Sequence, residues 1–352
     1  MKKLLLSLIA VVVGTVGSYA QDDLIATLSH GSSLTTYTGA TALSEAYEAA
    51  AEGDVITLSP GVFNAVDIEK AITVRGAGMV GLESNGYVST QLTGNMTINV
   101  PSDATSTLTI EGIHALGSVS MSGDNLAPIN IIKCRFENAI WPFGINMTAY
   151  ASIFASSLNA ISASSNGTVI KNTTINCLNC VMVVATSQGL KKYGESNGVS
   201  KIVATNCIFG SSSPGASTKA SLDYSQFCNC IFIHNYPLPD NCSAQSCLGI
   251  ANKDLFVYID NPSNLMAEGS GTTAYTAIFK TLTLLGENPA ITETFELTET
   301  AAATYLGNDG TQVGIYGGSY PFDPTPTNPQ IKTFTVSNTT DGGTLKVKIN
   351  VE

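Results

Sequence analysis

The word Asn-Cys-Ile-Phe occurs at 206–209 and again, letter for letter, at 229–232. Related words lie upstream: Gly-Ile-His-Ala at 112–115, Lys-Cys-Arg-Phe at 133–136, Ala-Ser-Ile-Phe at 151–154 and Asn-Thr-Thr-Ile at 172–175. Measured on the second residue of each, the steps are 21, 18, 21, 34 and 23 residues. The step from Thr173 to Cys207 therefore reads as a loop inserted into an otherwise regular series. A period near twenty with like residues at like places is the mark of a solenoid, in which each turn stacks on the last. An antiparallel sandwich has turns every 8–12 residues and no reason to repeat a tetrapeptide at this length.

Each word sits in a β-rich run such as "INIIKCRF" or "SKIVATNCIF". Alternate residues of a strand share a face, so the second and fourth residues of each word point to one side. That side collects Cys207 with Phe209, Cys230 with Phe232, Ser152 with Phe154 and Thr173 with Ile175. Asn172, Asn206 and Asn229 precede these pairs. Asparagine tolerates left-handed backbone, which places these residues at coil corners. The expected class is all-β: a right-handed parallel β-helix with a short N-terminal capping helix and a C-terminal β-hairpin segment.

The N-terminal run supports the same reading. Thr41 is a candidate N-cap, and Leu43, Ala46, Tyr47 and Ala50 form a short apolar stripe ahead of Gly53. A helix there would cover an open sheet end. With Asp54, Ile56, Leu58, Gly61, Phe63, Ile68, Lys70, Ile72 and Gly76, this segment resembles the entry of right-handed parallel β-helix proteins of the pectin-lyase-like type. "GNDGTQVGIYGGSYPF" at 307–322 is similar to the closing segment of exported bacterial members. The resemblance implies three parallel sheets wound into a prism. It implies no single activity, because the fold carries lyases, hydrolases, esterases, adhesins and structural proteins.

Residues 1–20 read as a secretory signal peptide: a basic start, an apolar core too short to span a bilayer, and a small-x-small end at Ala20. Residues 21–322 form the expected β-helix domain. Residues 323–352 form a Pro-rich connector and a hairpin turning at Asp341-Gly342-Gly343. The expected location is secreted, in the periplasm, at the cell surface or in the medium, with no membrane segment after cleavage.

The chain carries 16 Lys+Arg against 27 Asp+Glu. Loss of Lys2 and Lys3 with the signal leaves 14 against 27, or −13. Such a field repels nucleic acid and polyanionic glycans. Arg75 and Arg135 are the only arginines, so bidentate recognition of uronates or sulfates has little material.

Several motifs have plain readings. "GAGMVG" at 76–81 matches a dinucleotide-binding pattern, but no helical stripe follows it, and corner glycines account for it. Cys134, Cys207 and Cys230 read as small core residues at the rung position. Cys177-x-x-Cys180 lacks the second pair a zinc site needs, while Cys242 and Cys247 are spaced to close a short bridge. No metal or cofactor is expected.

The resemblance sets a requirement for catalysis: calcium-binding acid clusters with a Lys or Arg base, or aspartates on adjacent rungs. Between 100 and 250 the aspartates are Asp103, Asp124, Asp223 and Asp240, none beside another, and neither His114 nor His234 has an acidic neighbour in sequence. The leading expectation is a non-catalytic glycan-binding or cell-envelope scaffold of adhesin-like character. Polysaccharide is the expected partner, held at Trp141, Tyr150, Lys192, Tyr193 and Glu195 on two inter-rung loops. The alternative is a polysaccharide lyase or glycoside hydrolase acting on a neutral or weakly charged glycan.

Overall fold

The computed structural model describes residues 24–79, 89–121, 127–142, 145–159, 173–186, 200–210, 222–233, 237–250, 254–267, 272–282, 293–325, 331–341 and 344–351. Among these, the chain is predominantly β, with an 11-stranded and a 13-stranded sheet that are parallel throughout except at the N-terminal edge of the first.

The chain alternates between the sheets. Ile129–Ile132 lies in the first, Arg135–Phe136 in the second, Asn146–Tyr150 in the first again and Ile153–Asn159 in the second. Each strand pairs with its equivalent one turn on. A short third row, Met96–Ile98, Val119–Met121 and Ile140–Pro142, joins the second sheet where Ile140 pairs with Leu158. This winding is compatible with a solenoid.

The corner from the first sheet to the second explains the repeated word. Lys133, Ala151, Asn179, Asn206, Asn229 and Ser246 all have φ between 47° and 54°. A single left-handed residue swings the chain from one sheet into the other, and asparagine adopts it at lower cost than most side chains. The next residue points inward. In register these are Cys134, Ser152, Cys180, Cys207, Cys230 and Cys247.

This corrects the sequence reading at two places. Thr173 is not in this row; it precedes the first-sheet strand Thr174–Leu178, and Cys180 holds the rung position. The true word is Asn-Cys-Val-Met at 179–182, so the 34-residue step disappears, and Cys247 adds a further rung. Asn172 lies outside the described residues.

The fourth residue of each word fills the interior. Phe136 stacks on Phe154 (centroids 5.5 Å, 5°) and Phe209 on Phe232 (5.1 Å, 15°). Phe227 from the first sheet meets both of the latter edge-on. In the same row of the first sheet Phe227 stands between the small residues Ala204 and Ala244, and Ala149 and Cys177 precede them.

At the N-terminal end, helix α1 (Ala42–Ala49) buries Ala42, Leu43 and Ala46 against the core. Thr41 makes no backbone cap; its hydroxyl donates to Glu45 at 2.6 Å. The other end of the helix is held by Lys70, whose Nζ donates to the carbonyls of Tyr47 and Ala50 at 2.8 Å and of Glu48 at 3.2 Å.

The third residue of each word faces outward, yet Ile153, Val181, Ile208, Ile231 and Leu248 are buried. They are covered by the chain beyond Met266: helices α2 (Thr272–Ile278) and α3 (Glu299–Thr304), Phe295, Val313, Ile315 and Phe322. Residues 307–325 run back along the left-handed corner as a strap. Asn308 N donates to Asn229 Oδ1 and Gly314 N to Asn229 O, both at 2.9 Å. Asn179 Nδ2 donates to the carbonyls of Ile315 and Gly317 at 2.8 and 2.9 Å. Further on, Tyr150 donates to Tyr320 O and Lys133 to Thr325 O. Beyond the strap, Ile331–Asp341 and Thr344–Val351 pair antiparallel.

Candidate ligand-binding face

Among the described residues, the C-terminal chain covers the second sheet from Ile153 to Leu248, and none covers the outer face of the first. Along that face one residue per turn stands in register: Thr109, Asn130, Thr148, Asn176, Val203, Gln226 and Ser243. All are partly or fully exposed. Strand spacing sets their repeat at about 4.8 Å. Apart from Val203, the row carries hydroxyl and amide groups that both donate and accept, and it carries no charge. Toward its C-terminal end Val203, Thr205, Gln226, Cys228, Ser243 and Gln245 floor a shallow groove with Asn261 at its side. Asn261 is anchored by donating to Ala244 O at 3.1 Å.

Charge appears at the N-terminal margin, where Arg75 Nε donates to Glu111 Oε2 at 2.8 Å. Lys201 stands beside Thr174 in the neighbouring row. Among the described residues no group of three or more His, Cys, Asp or Glu is arranged to hold a metal ion. No helix among them is long and apolar enough to cross a membrane.

The sequence-predicted aromatics are placed apart. Trp141 is the middle of Ile140–Pro142, opposite Ser120 on the third row, and partly exposed. Tyr150 ends a first-sheet strand, packs against the apolar cluster under the strap, and donates to Tyr320 O at 3.4 Å. Burial, then the nearby Asp323 charge, raises its phenol pKa. Both lie in strands. Lys192, Tyr193 and Glu195 lie outside the described residues, as does His234.

One constellation escaped the sequence reading. His114 and Arg135 are paired neighbours on the outer face of the second sheet. Glu137 Oε1 contacts His114 Nε2 at 2.8 Å and accepts from Arg135 Nε at 2.5 Å. The His114 and Arg135 side chains are 4% and 2% exposed, that of Glu137 22%. Burial alone would raise the Glu137 pKa, but the hydrogen bonds from His114 and Arg135, with the Arg135 charge, push it down to about 2. The signal was available: His114 and Arg135 are the third residues of consecutive words, and stacking brings them together.

No family model matches the chain, and no curated protein or solved structure is significantly similar to it.

Proposed function

We propose that this chain is an exported, non-catalytic right-handed parallel β-helix protein of the pectin-lyase-like kind, serving as a glycan-binding scaffold of the cell envelope. The observation that carries this reading is the uncharged row Thr109–Ser243 on the open first sheet. Hydroxyls and amides at a fixed repeat, broken once at Val203, can exchange hydrogen bonds with successive units of a polyhydroxy chain laid along the axis. An acidic protein whose open row is neutral favours an uncharged polymer over a polyanion.

The test is binding to a panel of neutral, uronate-rich and sulfated polysaccharides. The expected result is retention on neutral chains, lost in Thr148→Glu and Asn176→Glu with folding unchanged. Loss in Trp141→Ala alone would move the site to the third row and the aromatic loops. Binding to none of the panel would overturn the glycan reading. Export has its own check: N-terminal sequencing of the exported protein should begin at Gln21.

The second reading, a lyase or hydrolase on a neutral or weakly charged glycan, is favoured by the His114–Arg135–Glu137 cluster, which brings an imidazole, a guanidinium and a carboxylate together. Release of new chain ends from a bound glycan, abolished in His114→Asn, would put it first.

A further inference from the structure

The inner row of the coil holds an uninterrupted column of thiols. Cys180, Cys207, Cys230 and Cys247 are buried at the same place on successive turns, because the residues that follow them, Val181, Ile208, Ile231 and Leu248, pair in register; Cys177 is buried on the first sheet beside this row. Cys180 N also donates to Cys207 Sγ at 3.4 Å, and Cys207 Sγ contacts Cys177 O at 3.5 Å. All eight cysteines are free. The other three stand apart. Ser152 occupies the rung between Cys134 and Cys180, accepting from Cys134 N at 3.1 Å, and so separates Cys134 from the column. Cys228 and Cys242 are half-buried outside it.

Neighbouring parallel strands are about 4.8 Å apart. A disulfide accepts Cα separations of roughly 4.4–6.8 Å, with the Cβ atoms drawn closer than simple stacking places them. Cys180, Cys207, Cys230 and Cys247 therefore form a series in which each adjacent pair needs only a small local approach to be bridged. The same stacking seals the thiols from solvent once the turns close, so exchange with a dissolved carrier must happen while the coil is still forming.

We propose that this column is an inter-rung disulfide site whose oxidation state is fixed during folding and then locked by burial. Two thiols of adjacent rungs lose their protons and become one S–S bond, and a disulfide carrier such as glutathione disulfide takes up the two electrons and two protons as two thiols. Cys134 takes no part because Ser152 interrupts the stack.

The experiment refolds the denatured, reduced full chain in two buffers, one with a glutathione/glutathione disulfide couple and one with reductant alone. Peptide mapping under non-reducing conditions then reads the bonds. The expected result is a paired loss of alkylatable thiols in the first preparation only, mapping to neighbours among Cys180, Cys207, Cys230 and Cys247 and surviving reductant without denaturant. The second preparation should keep its column thiols unreactive to glutathione disulfide and to alkylation until denatured. Equal thiol counts in both, bonds through Cys134, Cys228 or Cys242, or ready exchange in the native protein would each overturn the proposal. If refolding yields are poor, the same mapping on chain made in an oxidising and in a reducing compartment supplies the comparison, with the same outcomes expected and excluded. In Cys230→Ala the bonds to Cys207 and Cys247 should vanish and any bond left should join Cys180 to Cys207; retention of a bond at Cys247 would count against the column.

Discussion

The left-handed corner residue is the smallest unit that organises this molecule. At Asn206 and Asn229 it turns the chain between sheets, and its side chain is then pressed on by the strap. Gly318 has φ 79°, and a Cβ there would lie 2.2 Å from Asn206 Nδ2. Gly310 has a similar φ of 77° but open space around it. Gly318→Ala should thus cost both backbone strain and a collision, about 2–4 kcal/mol, against about 1 kcal/mol for Gly310→Ala. Denaturant unfolding of the two variants measures the difference, and equal losses would mean that the strap does not bear on the corner. Within the stack, Phe232→Ala removes a fully buried ring touching Phe209 and Phe227, for an expected loss of about 3–5 kcal/mol.

Between single residues and the whole coil lie the elements that close it. Lys70 reaches three carbonyls at the C-terminal end of helix α1, where a cation also complements the helix dipole. Lys70→Met keeps the stem and loses the charge, and should lower stability by about 1–2 kcal/mol. On the second sheet, the ion cluster makes an acid-sensitive joint between two rungs. The Glu137 pKa is lower folded, at about 2, than its ordinary 4.5. Its contribution is therefore complete above the unfolded value and is lost as pH falls from near 4.5 toward 2. Glu137→Gln should flatten the stability profile over that window. A profile as steep as that of the unsubstituted protein would assign the acid lability to other carboxylates.

Over the described residues, the chain alternates between two sheets, with the outer face of the second covered from Ile153 to Leu248 by the C-terminal chain and that of the first open. That asymmetry, together with the net acidic charge, underlies the expected ligand preference. Heparin-like and pectate-like chains should bind weakly at physiological salt, while neutral chains should bind more tightly as they lengthen along successive rungs. Tight, salt-sensitive retention of a polyanion would reverse this and favour lyase chemistry.

The repeated word and its parity were sufficient to read strands, inward Cys and Phe, and left-handed asparagines at 206 and 229, because side-chain alternation and backbone preference are local properties. The register was harder to read. Asn-Thr-Thr-Ile at 172–175 mimicked the word just ahead of the true Asn-Cys-Val-Met, and only the hydrogen-bonded pairing of Val181 with Ile153 and Ile208 separates them. Turns of unequal length let a sequence period drift while strand pairing stays fixed. The candidate face followed from covering, which is a long-range event. Segment 307–325 lies far along the chain from the corners it seals, and nothing local to Ile208 or Ile231 distinguishes an outward residue that will be buried from one that will meet water. His114 met Arg135 and Glu137 for the same reason: stacking joins residues a full turn apart, and His114 reaches Glu137 only once the turns have closed.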